Sequence, residues 1–82
     1  MALSRDENKL KIIGSQIRTL RKNQGISQEQ LGFEAGIPRM QIARVERGEI
    51  NMGVLSIISI FQALNIKPED FFKSINLFEL DS

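Results

Sequence analysis

The chain has no cysteine, no histidine, no tryptophan and no tyrosine. Without cysteine, disulfides and thiolate metal sites are excluded. Without histidine, the commonest general base and the commonest metal ligand are missing. Without tryptophan and tyrosine, most aromatic platforms for stacking unpaired bases are missing too. No carboxylate cluster stands at catalytic spacing, so the reading is of a chain that is not an enzyme and needs neither metal nor cofactor. No apolar run approaches the roughly 20 residues of a membrane span. The N-terminus, Met1-Ala2-Leu3-Ser4-Arg5-Asp6-Glu7, lacks an apolar signal core. These absences predict a soluble, cytoplasmic protein that does not engage membranes.

Eighty-two residues allow one domain. A domain this small has a narrow stability margin, so a partner burying more surface would help it. The net charge of +1 says little about partners, but its distribution says more. Residues 1–50 hold nine Lys/Arg against six Asp/Glu, and residues 51–82 hold two against four. Between Asn8 and Gln28 stand Lys9, Lys11, Arg18, Arg21 and Lys22 with no acid. A basic first half and an acidic second half suit a domain with one phosphate-facing side.

Periodicity reads as helix throughout. Leu10, Ile13, Ile17 and Leu20 recur at helical spacing over roughly residues 6–23, with Gly25 as the stop. Ser27 with Gln30 fits a capping box, so a second helix starts at once and runs to about Ala35, where Gly36 breaks it. Pro38 suits the first turn of a third helix, which runs to Arg47, with Ile42 and Val45 inward and Gly48 as the stop. After the Asn51-Met52-Gly53 turn, Val54 to Leu64 make a fourth helix apolar on almost every side. Asn65 ends it, and Lys67-Pro68-Glu69-Asp70 starts a short fifth helix holding Phe71 and Phe72. Residues 1–73 are thus expected to be an all-α, five-helix domain, followed by an apolar but aperiodic tail, 74–82.

Helix two, a short glycine turn and helix three have helix-turn-helix geometry, in which the second helix can enter the major groove. Arg39, Met40 and Arg44 fall on one side of helix three, with Ile42 and Val45 on the other. The sequence also bears a family resemblance. It is carried by Ile17-Arg18-Thr19-Leu20-Arg21, Gly25-Ile26-Ser27-Gln28-Glu29-Gln30-Leu31, Ala35-Gly36-Ile37, Ile42-Ala43-Arg44-Val45-Glu46-Arg47-Gly48, and the later Leu64-Asn65-Ile66-Lys67-Pro68-Glu69-Asp70-Phe71-Phe72. Together these resemble the Cro/CI-type, XRE-like helix-turn-helix regulators, over about residues 12–72. The size is similar to that of restriction–modification controller proteins and small phage repressors.

The resemblance implies a lambda-repressor-like fold with its helix-turn-helix over about 27–47. It also implies binding of double-stranded DNA at a near-palindromic operator, by a homodimer whose recognition helices stand about 34 Å apart. Arg39, Met40 and Arg44 match the family's base-facing positions. An arginine can bond guanine bidentately, and Met40 would meet a thymine methyl. Gln28 matches a glutamine that donates to phosphate and leans on the start of the recognition helix. The N–H groups around Ser27 add an anion site, and Gln41 and Arg47 sit at the margin. Arg21 and Glu46 match a structural ion pair between helices one and three. Four features depart from the family: Pro38 where Ser or Thr is usual, Met52-Gly53 where Pro is frequent, Leu55 in a polar position, and Phe61 in a smaller one.

The departures leave apolar surface to explain. Leu55, Ile58 and Phe61 exceed what one small core needs, and Phe71, Phe72, Ile75, Leu77, Phe78 and Leu80 follow within the last residues. Contiguous apolar surface of this kind marks an interface. A two-fold dimer is therefore expected from Leu55, Phe71, Phe72, Ile75, Leu77, Phe78 and Leu80. The tail would add as a strand or an extended arm, or else fold back over its own domain as a lid. With no effector half expected in 82 residues, control would come from concentration. The alternative reading is an antitoxin-like interaction module that holds a toxin and autoregulates its operon. A further protein partner, toxin or RNA polymerase, is left open.

Overall fold

A computed structural model describes residues 5–77, which form five helices with no strand among the described residues. These are α1 (Arg5–Asn23), α2 (Gln28–Ala35), α3 (Arg39–Glu46), α4 (Val54–Ala63) and α5 (Pro68–Lys73). Each boundary follows from local chemistry. The Ser27 hydroxyl accepts the Gln30 backbone N–H at 3.0 Å and so caps α2. Only this half of the capping box forms, because the Gln30 amide donates to Glu34 Oε1 at 2.9 Å. Pro38 is extended (φ −57°, ψ 141°) and sits just before α3, where its carbonyl accepts from the backbone N–H groups of Gln41 and Ile42. Asn65 closes α4 in the left-handed region at φ 55°, a conformation its short polar side chain tolerates.

One core joins all five helices. Ile17 of α1, Leu31 of α2, Ile42 and Val45 of α3, Ile60 and Phe61 of α4, and Phe71 of α5 are buried together with Ile37 and Leu64. The Phe61 and Phe71 rings lie 4.5 Å apart, and Phe72 meets both edge-on at 5.8 and 5.2 Å. Phe61 and Phe71 therefore correct the sequence reading. The first is not surplus, and the second is no interface residue, since neither has surface left for a partner. Ile75 packs partly against the same core, and Ser74 Oγ accepts from Gln16 Nε2 of α1 at 3.0 Å. The start of the tail is thus held against its own domain. Phe78 and Leu80 lie outside the described residues.

Two close approaches set the angle between elements. A Cβ on Gly14 of α1 would stand 2.1 Å from the Val45 carbonyl oxygen, so α1 and α3 cross nearly backbone to backbone. A Cβ on Gly32 of α2 would stand 2.5 Å from the Ile37 carbonyl oxygen, so α2 lies directly on the turn that leads into α3. No helix of the described residues is long and apolar enough to cross a membrane.

Candidate nucleic-acid interface

Between α2 and α3 the chain turns through Gly36, whose φ of 70° is open to glycine at little cost. The Gly36 N–H meets the Phe33 carbonyl at 3.4 Å and the Ile37 N–H meets that of Gly32 at 2.8 Å. These bonds satisfy the end of α2 and drive Ile37 into the core, where it pins the turn. The connection is short and anchored at both ends, so α3 has a fixed direction relative to α2.

Helix α3 divides cleanly into two faces. Ile42, Val45 and Glu46 point into the domain. Arg39, Met40, Gln41, Arg44 and Arg47 are all exposed, with Met40 at 69%. A methionine left open on a helix between arginines has no packing role within this chain. The exposed face is cationic and hydrogen-bonding, with one apolar side chain that fits a methyl group.

The inner face is tied down electrostatically. Arg21 Nε and Nη2 donate to Glu46 Oε2 and Oε1 at 2.6 and 3.0 Å, a bidentate pair whose side chains are 9% and 2% exposed. Arg21 Nη1 donates to the Ile26 carbonyl at 2.9 Å, and Gln28 Nε2 donates to Glu46 Oε1 at 3.1 Å. The hydrogen bonds to Glu46 hold the Arg21 guanidinium's proton more tightly than usual, against the opposing effect of burial. One cluster therefore joins α1, the α1–α2 turn, the start of α2 and the end of α3. The Gln28 amide leans on the last residue of α3, not on its start, and one of its two N–H donors is engaged there. This glutamine acts first as a brace.

Two charged residues that the sequence did not place at this site, Glu49 and Lys11, belong to this surface. Glu49 accepts from Arg47 Nε and Nη2 at 2.7 and 3.0 Å, and Arg44 Nε lies 4.0 Å from the same carboxylate. Lys11 of α1 donates from Nζ to the Arg47 carbonyl at 3.3 Å, capping the end of α3. The signal for Glu49 was available, because a left-handed Gly48 folds the residue after it back against the last helical turn.

Residues 17–71 match the family described as Helix-turn-helix. The chain belongs to this helix-turn-helix family. The match is of the XRE type. The helix-turn-helix chain is similar to Control protein C.BamHI of Bacillus amyloliquefaciens, at 35% identity over 60 residues, covering 72% of this chain and 74% of that one. It is also similar in structure to the restriction–modification controller protein C.AhdI from Aeromonas hydrophila, with a TM-score of 0.77 and 37% identity, covering 79% and 98% of the two chains. A third likeness is the controller protein C.Esp1396I, solved as a tetramer in complex with its natural 35 base-pair operator. There the TM-score is 0.77 at 25% identity, covering 87% and 91%. The helix-turn-helix chain spans only 44% of the length of two other relatives, uncharacterized HTH-type transcriptional regulators of Sinorhizobium medicae and Rhizobium meliloti, each 39% identical over 61 residues.

Proposed function

We propose that this chain is a sequence-specific double-stranded DNA-binding transcriptional regulator of the controller type, acting on a near-palindromic operator as a homodimer. The observation that carries the reading is the outer face of α3. It presents Arg39, Met40, Gln41 and Arg44 together, while Glu46 and the core hold the opposite face. The likeness to a controller protein solved on its operator supports it. Arg39 and Arg44 are the base readers, Met40 meets a thymine methyl, and the N–H groups at the start of α2 meet a phosphate. Arg44→Ala is expected to weaken operator binding by about 1–3 kcal/mol and to relax preference at one base position. Gel-shift selection from a random duplex pool reads both effects. An unchanged base preference in Arg44→Ala and also in Arg39→Ala would remove the readout assignment.

The homodimer rests on an unpartnered apolar strip. Val54 is 71% exposed and Leu55 77%, with Ile58 and Phe72 exposed beside them. A strip of this composition, on the half of the chain poor in Lys and Arg, suits a partner surface and not phosphate. Leu55→Asp should shift the protein toward monomer in sedimentation at micromolar concentration. It should leave the thermal midpoint of the dilute monomer nearly unchanged, because Leu55 makes little contact within its own chain. An assembly state indifferent to this charge would move the interface elsewhere.

A further inference from the structure

Glu49 brings a negative charge to a surface that otherwise suits phosphate. Its position is fixed by the backbone. Gly48, at φ 71°, donates its N–H to the Val45 carbonyl at 2.9 Å, and Glu49 donates to that of Arg44 at 2.9 Å. This pair of bonds is a Schellman closure, so the carboxylate is returned to the last turn of α3 beside Arg44 and Arg47. There it makes the two-pronged contact with Arg47 and lies within 4.0 Å of Arg44.

Helix stability does not account for the placement. The C-terminal end of a helix carries partial negative charge and disfavours an acid. Ion pairs as exposed as this one contribute little to folding. What the geometry does resemble is the guanidinium–phosphate fork, since carboxylate and phosphate oxygens present the same acceptors to arginine. The Arg47 hydrogen bonds, with the charges of Arg47, Arg44 and Lys11, hold the Glu49 carboxyl below its ordinary range, so it is charged at neutral pH.

We propose that Glu49 is an internal stand-in for DNA phosphate: it occupies Arg47 and draws on Arg44 in the free protein, and so weakens binding to random DNA more than binding to the operator. The inference rests on the DNA-binding reading above. On random duplex the two arginines exchange one anion for another and gain little. On the operator Arg44 gains a base edge that Glu49 cannot imitate, and the exchange becomes favourable. Glu49 is thus a specificity-determining residue that acts through the arginines.

The test compares wild type with Glu49→Gln, which keeps size and backbone but removes the charge. The probes are a short random-sequence duplex and an operator duplex selected from a random pool, each titrated over a range of salt. Glu49→Gln should bind the random duplex several-fold more tightly. Its plot of log affinity against log salt should steepen by about one, as expected for one more phosphate neutralised. Operator affinity should rise less, so the ratio of the two falls. Adding Arg47→Ala to Glu49→Gln should return the salt slope to the wild-type value. An unchanged slope in Glu49→Gln, or weaker binding to both duplexes with helicity intact, would overturn the proposal. If wild type itself binds neither duplex, the DNA-binding reading falls and takes this one with it. If wild type prefers the operator and the Glu49→Gln slope does not move, this one falls alone.

Discussion

Replacing Glu46 with alanine is expected to cost about 3–5 kcal/mol of folding stability, the range for breaking one side of a buried ion pair. A domain of this size has a total stability of only about 4–12 kcal/mol, so the variant should be largely unfolded well below the wild-type midpoint. The loss comes mostly from what remains. Arg21, 8% exposed in the wild-type fold, would keep only the Ile26 carbonyl as partner, and the Gln28 amide would lose its acceptor. Arg21→Ala should cost a similar amount, because the Glu46 carboxylate would keep only Gln28. The double replacement should cost less than the two single losses together, since each single change strands a charge that the double change removes. Urea denaturation of the three variants gives the coupling directly. Strict additivity would mean that the bidentate contact contributes nothing to the folded state. Glu46→Gln should fall between wild type and alanine, keeping one acceptor for Arg21 without the charge.

Gly14→Ala should destabilise the protein by about 3 kcal/mol or more, at the upper end of overpacking effects. The sign is the informative part. Within a helix, glycine to alanine normally stabilises by about 1 kcal/mol. Here the new Cβ would meet the Val45 carbonyl oxygen at 2.1 Å and that of Glu46 at 2.8 Å, and backbone atoms cannot rotate away. Helix α1 must therefore lift from α3, loosening the Arg21–Glu46 contact along the same crossing. In thermal melts a loss of this size corresponds to roughly 10–20 °C for a domain of this length. Ser15→Ala, one residue along on the exposed side of α1, is the control and should be neutral or slightly stabilising. A Gly14→Ala protein as stable as that control would show that α1 and α3 are free to separate.

Helix positions were legible in the sequence because the stops are chemically explicit. Gly25, Gly36, Gly48 and Asn65 all adopt positive φ, and each ends an element that periodicity had already suggested. The division of α3 into Ile42 and Val45 inward and Arg39, Met40 and Arg44 outward was equally legible, because a 3.6-residue period fixes which residues share a face. Phe61 and Phe71 were misjudged for a different reason. Periodicity reports that a face is apolar, but not whether the chain's own helices or a second molecule cover it. The Gln28–Glu46 contact was not legible because the acceptor lies 18 positions away on another helix, and no local pattern announces that distance. Glu49 was readable in principle from its glycine neighbour, but only when the turn is followed one residue past the point where the helix stops.

The eight residues of α3 span about 12 Å, and a helix of that length is not stable alone in water. It persists because α1 crosses its last turn, where Lys11 caps the Arg47 carbonyl and Arg21 holds Glu46, while Ile42 and Val45 are buried in the shared core. Helix α3 is therefore not a portable part. Excised with α2 as a peptide, it would lose both its helicity and its orientation. Moved onto another scaffold, it would need that scaffold to supply a bare glycine crossing and a buried cation. On the DNA-binding reading proposed above, altered specificity is reachable by exchanging Arg39, Met40, Gln41 and Arg44 where they stand, since these four exposed side chains add little to the core beneath them.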